Sequence, residues 1–409
     1  MEMFKVKPVD KVLELLKEHF DGFKLSTENL LLDAAEGRVL ASDIKSKIDV
    51  PQFNRSTVDG YALKAVDTFG CSESLPAFLE IIGEVNMGEE TKLFIENGQC
   101  AYVPTGGMLP SGSDAVVMLE YTEKLDDITL NVLKPVSPNQ NVILKGDDIK
   151  KNDILFKKGH LLKPQDIGAL AAIGKSSVEV FRKPRGYIIS TGDEIVSPTE
   201  NLRIGQVNDI NTYTMLSELK KAGANIIGHS HAKDRFEDLK HKITKILPDV
   251  DFVIISGGSS VGTKDVTVDV INSLGKPGII THGLSVKPGK PTIVAKIGDK
   301  AIWGMPGHPV SALVILKRLV LPFLDIILKK EKQMIYKIKA VWGQNYPSNH
   351  GKEEYVMVSL TPSEEILIAN PLLGKSGLIS LMSKADGFVK IPANKEGLLS
   401  GEEVEIELL

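Results

Sequence analysis

The stretch Asp251-Phe-Val-Ile-Ile-Ser-Gly-Gly-Ser-Ser-Val-Gly262 decides the fold class of the second half of the chain. It is an apolar run of strand length that ends in small residues, and Asp265 follows at the start of a predicted helix. From Pro184 to about residue 328, apolar strands, turns and helical patterns alternate several times. Such alternation predicts a doubly wound α/β domain over mainly parallel strands, with ligands at the carboxyl ends of the strands.

The regions on either side of this domain have the pattern of short β-strands. Residues from about 25 to 181 carry β-rich segments separated by Gly, Pro, Asn and Asp, which predicts a predominantly β region. Past Lys330, five short strand patterns predict a small β-barrel or a sandwich. Near the N-terminus, apolar residues at helical spacing predict an amphipathic helix: Val9, Val12, Leu13, Leu16 and Phe20.

Composition limits the classes of partner. The 409 residues suggest several domains, and 49 Lys+Arg against 53 Asp+Glu give a net charge of −4. No global positive field therefore attracts nucleic acid or an anionic membrane, and an anionic ligand needs a local site. The two cysteines, Cys71 and Cys100, lie far apart in sequence and predict a reducing, cytoplasmic location.

The longest apolar stretch, Pro309 to Leu328, is interrupted by Lys317, Arg318 and Pro322. Those residues make it a poor membrane span, so the pattern favours a buried helix. The sequence also contains neither a G-x-x-x-x-G-K-[ST] motif nor a G-x-G-x-x-G after a strand, which disfavours simple NTPase and dehydrogenase functions.

Four loops of the α/β domain carry residues suited to anion chemistry, and each follows or nearly follows a strand. They are Ser190-Thr-Gly-Asp-Glu194, Ser256 to Gly262 with Asp265, Lys287-Pro-Gly-Lys-Pro291, and Gly304-Met-Pro-Gly-His-Pro-Val-Ser-Ala312. Small residues and backbone N–H groups at Ser256, Gly257 and Gly258 predict a phosphate or nucleotide site. Lys287 and Lys290 would add mobile positive charges. Oxygen ligands for Mg²⁺ are offered by Asp193, Glu194 and Asp265.

Two further motifs lie in the β-rich region, and the residues alone leave their roles open. The loop Pro51 to Ala62, with Arg55, Ser56 and Asp59, presents an anion binder and a carboxylate, or forms a turn with a surface ion pair. The Thr105-Gly-Gly107 segment approaches a phosphate through backbone N–H groups, or connects a hairpin.

The order of these motifs resembles that in molybdopterin molybdenumtransferases, the MoeA family, which is related to the E domain of gephyrin. The matching segments are NRSTVDGYA, PTGGMLPSGSDAVVMLEYTE, STGDEIV, SGGSSVGTKD, KPGKP and PGHPVSA. The resemblance runs from about Val9 to Leu409. One departure is His308, which stands where the family loop usually reads PGNP.

The resemblance implies an elongated subunit that forms a homodimer, with each active cleft shared between the α/β domain of one subunit and the β-rich lobes of the other. It implies this division of the chain: 1–24, a helix packing on the α/β domain; 25–50 and 140–181, a β-rich linker domain; 51–139, a protruding β-rich lobe; 182–329, a MogA-like α/β domain that binds molybdopterin; 330–409, a C-terminal β-barrel.

The implied reaction takes adenylylated molybdopterin and molybdate, cleaves the pterin–AMP phosphoanhydride with Mg²⁺, and releases AMP. Carried over by position, the catalytic candidates are Asp59, Thr105, Glu194 and Asp265. The substrate-binding candidates are Arg55, Ser56, Ser256, Gly257, Gly258, Lys287, Lys290, Pro306, Pro309 and Ser311. The metal-binding candidates are Asp193, Glu194 and Asp265.

Two other functions are compatible with parts of the sequence. The α/β domain also resembles that of the adenylyltransferase acting one step earlier, although that step does not need the long β-rich region. A gephyrin-like scaffold without chemistry is the third reading, and the intact acidic and lysine residues argue against it. The sequence does not decide between molybdate and tungstate. Expected protein partners are the adenylyltransferase and recipient molybdoenzymes.

Overall fold

The computed structural model describes residues 6–257, 266–332, 336–364 and 366–409. Gly258 and Asp265, two of the predicted site residues, lie outside this part of the chain. Within the described part, no helix has the length and apolar character needed to cross a membrane.

The first helix, α1 (Val9–Phe20), packs its apolar face on the α/β domain. Val12 and Leu16 have no exposed surface, and the rings of Phe20 and Phe323 pack in a T-shape with 5.0 Å between centroids. Full burial of such side chains contributes about 1.5–3 kcal/mol each. The helix is therefore held by tertiary contacts with the α/β domain.

The chain then forms two strands of the linker domain, continues into the lobe, and afterwards returns to the linker domain. The first strands are β1 (Thr27–Leu31) and β2 (Ile44–Lys45). The lobe contains β3 (Arg55–Ser56), β4 (Gly60–Leu63), β5 (Ala77–Glu84), β6 (Gln99–Val103), β7 (Ala115–Met118), β8 (Thr122–Lys124) and β9 (Thr129–Val132). Six of these form one sheet in the order β7-β4-β6-β5-β9-β8, in which only the β5–β6 pair is parallel.

The returning segment completes the linker with β10 (Val142–Ile143), β11 (Ile154–Phe156), α2 (Pro164–Ala172) and β12 (Ser177–Phe181). β12 pairs antiparallel with β1, and β11 with β2. Apolar residues from both passages, including Leu40 and Leu170, share one core. Two distant stretches of sequence thus make one structural unit.

The α/β domain follows the predicted alternation. Its elements are β13 (Arg185–Thr191), β14 (Ile195–Val196), β15 (Val207–Asn208), α3 (Asn211–Lys221), β16 (Asn225–Ala232), α4 (Phe236–Ile246), β17 (Phe252–Ser256), α5 (Val266–Leu274), β18 (Pro277–His282), β19 (Val286–Lys287), β20 (Ile293–Ile297), β21 (Lys300–Met305), α6 (Pro309–Ile315) and α7 (Leu321–Ile327).

Six of these strands form the central sheet in the order β16-β13-β17-β21-β20-β18. The first four run parallel, and β20 and β18 add an antiparallel edge. Every residue of β17 is buried, as expected for a parallel strand covered by helices on both faces. The predicted fold class, a doubly wound α/β domain with β-rich parts, is confirmed.

The predicted long helix from Pro309 is divided by a π-helical segment over Leu316–Val320, between α6 and α7. Pro322 cannot donate a backbone hydrogen bond, and the π-helical segment accommodates the break. The charges in this apolar stretch have partners, since Lys317 lies 3.2 Å from Glu218 and Arg318 lies 2.7 Å from Glu407.

The last domain contains β22 (Ile338–Trp342), β23 (Tyr346–Pro347), β24 (Glu353–Ser363), β25 (Ile366–Pro371), α8 (Ile379–Ser383), β26 (Gly387–Ile391), β27 (Gly397–Leu398) and β28 (Glu403–Leu408). The order β24-β25-β22-β28-β26 closes on itself because β26 also pairs with β24. Of the two predicted alternatives, the structure is therefore a barrel. β19 of the α/β domain joins its rim by pairing with β24.

Candidate active site at the strand ends of the α/β domain

A cavity of about 900 Å³ opens where β13, β17 and β21 end. Parallel strands end at the same edge of a sheet, so the loops that follow them converge there. The lining includes most predicted residues of the α/β domain: Asp193, Glu194, Ser256, Gly257, Lys287, Lys290, Pro306, Pro309 and Ser311.

Gly257 shows how closely these loops approach one another. Its backbone N–H donates to the carbonyl of Met305 at 3.2 Å, and its φ is 107°. A Cβ at this position would lie 2.4 Å from the carbonyl oxygen of Thr191. Only glycine fits, because a side chain would meet the backbone of the neighbouring strand end.

Asn211, which was not predicted from the sequence, connects two of the four loops. Its amide nitrogen donates to Ser256 Oγ at 2.9 Å and to the carbonyl of Gly307 at 2.8 Å. Within the described residues, its Oδ1 is buried without a hydrogen-bond partner, as are Asn208 Oδ1 and Thr191 Oγ1. Such oxygens can accept from a bound molecule. The polar run Asn208-Asp-Ile-Asn211 before a helix was the available signal.

Hydrogen bonds hold the lysine loop in place. Thr292 Oγ1 donates to the carbonyl of Gly289 at 2.7 Å, and the Leu284 N–H donates to the carbonyl of Lys290 at 2.9 Å. Lys287, predicted as a mobile charge, has an acidic partner. Its Nζ lies 2.8 Å from Glu354, because the β19–β24 pairing places the two residues opposite each other.

Acidic residues also line the pocket. Asp193 and Glu194 follow β13, and two acidic residues that were not predicted from the sequence, Asp209 and Asp234, also line the cavity. Across the described ranges, no three acidic, histidine or cysteine side chains form a preassembled metal cage. Carboxylate oxygens are the ligands that Mg²⁺ prefers, so the chemistry of this donor set fits Mg²⁺. The assignment of Asp265 stays a prediction.

The C-terminal barrel also contributes to the lining, through Lys352, Ser376 and Gly377. His308 Nδ1 and Ser376 Oγ share a hydrogen bond of 2.9 Å, and the Val310 N–H donates to the Ser376 carbonyl at 3.2 Å. The glycines around Ser376 were visible in the sequence, but nothing local indicated that they meet the loop before α6.

The lobe brings its two predicted catalytic residues together. Asp59 Oδ1 accepts from the Thr105 backbone N–H at 2.8 Å and from Thr105 Oγ1 at 3.1 Å. Ser56 is buried and its hydroxyl donates to the carbonyl of Val58 at 2.6 Å, whereas Arg55 is exposed. Within the described part of this chain, no lobe residue lines the cavity.

Comparison with known proteins gives the family. Residues 7–174 match the MoeA N-terminal region (domain I and II), residues 187–326 a probable molybdopterin binding domain, and residues 339–409 the MoeA C-terminal region (domain IV). A putative molybdopterin biosynthesis protein from Methanocaldococcus jannaschii is 34% identical over all of this chain and 98% of its own length.

Two further relatives agree with this. A molybdopterin molybdenumtransferase from Haemophilus influenzae is 31% identical over 94% of both chains. A crystal structure of a molybdopterin biosynthesis moeA protein from Pyrococcus horikosii is 39% identical, covers 99% of both chains and has a TM-score of 0.83. The chain therefore belongs to the MoeA family of molybdenum cofactor biosynthesis proteins, and it is a transferase. The resemblance found from the motifs is confirmed.

Proposed function

We propose that the chain inserts molybdate into adenylylated molybdopterin and releases AMP. The single observation that carries this proposal is the cavity of about 900 Å³, which combines a lysine loop, strand-end donors and carboxylates. A cavity of this size accommodates a nucleotide-sized ligand. Relatives of nearly the same length are molybdopterin molybdenumtransferases by name.

Two anions, molybdate and the pyrophosphate-linked pterin, must meet in this pocket although they repel each other. Lys287 and Lys290 supply positive charge, the hydroxyl of Ser311 supplies a donor, and Gly257, without a side chain, lets the ligand approach the backbone. Asp193 and Glu194, with Asp265, would hold Mg²⁺. When bound, Mg²⁺ supplies the charge that makes AMP a better leaving group. AMP release would follow attack of water on phosphorus, which breaks the phosphoanhydride and leaves the pterin with its own phosphate. In the insertion step the two dithiolene thiols would replace one oxygen of molybdate, and that oxygen would leave with their two protons as water.

The proposal includes a homodimer whose lobes complete the neighbouring cleft. Its support is that Asp59 and Thr105 form a polar pair on the lobe, while the described lobe residues do not line the cavity of their own chain. We place the reaction in the cytoplasm, in line with Cys71 and Cys100, which are both free thiols. The adenylyltransferase and the recipient molybdoenzymes are the protein partners of this scheme.

The test is anaerobic incubation of the protein with adenylylated molybdopterin, Mg²⁺ and either molybdate or tungstate. AMP release and metal bound to the pterin are followed together. Both signals should rise in step, and the two arms report the metal preference. AMP release without metal capture would contradict the proposal. Conversion of unadenylylated molybdopterin with ATP would indicate an adenylyltransferase. If neither AMP release, metal binding nor this conversion is observed, the result would favour a scaffold.

The residue assignments are tested by Asp59→Asn and Asp265→Asn, which should each abolish metal insertion. Asp67→Asn is the matched control, because Asp67 also accepts a backbone N–H within the lobe, from Gly98 at 2.8 Å. The control should insert metal at the wild-type rate. Full activity in both test variants would overturn the assignments.

A further inference from the structure

A buried carboxylate lies at the joint between the lysine loop and the C-terminal barrel. Glu354 is near the start of β24 and only 3% exposed. The parallel pairing of β19 with β24 sets Val286 opposite Glu353 and Lys287 opposite Glu354. A residue of the barrel thus stands directly beside a residue that lines the cavity.

Both oxygens of this carboxylate have donors. Oε1 lies 2.8 Å from Lys287 Nζ and accepts from the Tyr346 hydroxyl at 2.9 Å. Oε2 accepts from Ser348 Oγ at 2.7 Å. Burial, together with the bond to Glu354, raises the pKa of Tyr346, so that its hydroxyl stays a donor. A buried carboxylate persists when it is paired and hydrogen-bonded in this way.

The lysine in this pair remains accessible to a ligand. Its side chain is 48% exposed, whereas that of Glu354 is 4% exposed. An ammonium group has three N–H donors on a flexible stem of four carbons. One donor directed at a fixed carboxylate orients the group, and two donors remain for a ligand.

We propose that Glu354 is a positioning residue, through which the C-terminal barrel fixes the ammonium group of Lys287 for the anionic substrate. The inference rests on the proposed function, because it assigns a role within the same cavity. Glu354 itself does not line the cavity in the described structure, so it acts through the lysine.

The neighbouring Glu353 separates positioning from general stabilisation of the barrel. Its carboxylate lies 2.7 Å from Lys390 and accepts from the Tyr355 hydroxyl at 3.1 Å. Both partners belong to the barrel, and the side chain is also largely buried. Glu353→Gln therefore removes a comparable ion pair on the same strand without touching Lys287.

Glu354→Gln is expected to affect kcat and KM differently. Removing a negative charge beside the cavity makes it more positive, which by charge alone favours anion binding. A displaced ammonium group, in contrast, weakens stabilisation of the transition state, and misplacement by about 1 Å can cost roughly 100-fold in rate. We expect kcat to fall by about 10- to 100-fold with KM unchanged or lower. Glu353→Gln should keep both parameters.

A double-mutant cycle tests whether Glu354 affects the rate through Lys287. If Glu354 acts through Lys287, the pair Glu354→Gln with Lys287→Met is no slower than Lys287→Met alone. Multiplicative losses in the double variant, or a wild-type kcat in Glu354→Gln, would overturn the proposal. Thermal unfolding checks that each variant folds. If Glu354→Gln does not fold, Glu354→Asp keeps the charge but withdraws it by one methylene, and a reduced kcat with unchanged KM is expected.

The wild type, Glu354→Gln, Lys287→Met and the double variant are also titrated with AMP and with molybdate by calorimetry. These titrations measure the coupling between the two positions even if the wild-type chain turns over no substrate. An inactive wild type would thus refute the proposed function, whereas additive effects of the two changes on binding would refute the role of Glu354.

Discussion

Replacing Gly257 by alanine tests whether the backbone contact between strand ends shapes the cavity. The new Cβ would lie 2.4 Å from the Thr191 carbonyl oxygen, where an ordinary contact begins at 3.4 Å. The two loops must therefore separate by about 1 Å, a displacement that can lower the rate roughly 100-fold. The positive φ adds about 1–2 kcal/mol of strain and the overpacking about 1–3 kcal/mol. We expect the free energy of unfolding to fall by about 2–5 kcal/mol.

Urea unfolding and the AMP-release assay measure the two effects on one preparation. Gly205→Ala is the matched control, since Gly205 has a φ of 92° and a Cβ added there would have no described atom within 4 Å. It carries the strain of the backbone without the clash, so a loss of about 1–2 kcal/mol and full activity are expected. Equal stability and equal activity in the two variants would refute the steric argument.

Three more predictions rest on single contacts or on the burial of one side chain. Arg182→Met should lower the free energy of unfolding by about 3–5 kcal/mol in urea, because Asp251 is buried and both its oxygens accept from that guanidinium, at 2.6 and 2.8 Å; a loss below about 1 kcal/mol would contradict it. His308→Ala should raise KM by weakening the contact with Ser376, whereas His308→Asn should keep KM near wild type in the insertion assay; equal KM values in the two variants would refute this role. Burial raises the pKa of Cys100 from 9.0 to about 12, with Glu80 adding to the effect, so iodoacetamide should label this thiol at pH 8 only after unfolding. Because the unfolded thiol loses its proton first, the free energy of unfolding should fall as the pH rises from about 9 to about 12; rapid labelling of the native protein would contradict the assignment.

Local sequence patterns were sufficient to predict those strands and helices that depend mainly on neighbouring residues. The alternation of apolar strands and helices predicted β13, β16 and β17 within one or two residues. β13 and β17 are largely buried and read as continuous apolar runs, whereas β16 is an edge strand in which exposed and half-buried residues alternate. The five strands that form the C-terminal barrel were predicted from short β-rich patterns. β18 was not predicted. Its first residues belong to the segment Gly275-Lys-Pro-Gly278, which is typical of a turn, and only four residues of the strand follow this segment.

The candidate site was predicted only in part. Its glycines, lysines and acids stand in short motifs at strand ends, and those signals can be recognised in the sequence. Asn211 and Ser376 were missed because an asparagine or a serine in a polar loop has many ordinary roles. Lys287 was found, but its carboxylate partner Glu354 was not, since 67 positions separate them along the chain.

The sequence by itself determined the order of strands and helices and the presence of an anion-binding set of residues. Both depend on hydrophobic periodicity and on residue type, which are properties of neighbouring positions. The tertiary structure alone decided which of these residues meet. The closing of the barrel, the pairing of β19 with β24 and the hydrogen bond between His308 and Ser376 join segments that are distant in the chain. Such contacts are fixed by packing and backbone pairing over the whole molecule, and no short stretch of sequence contains that information.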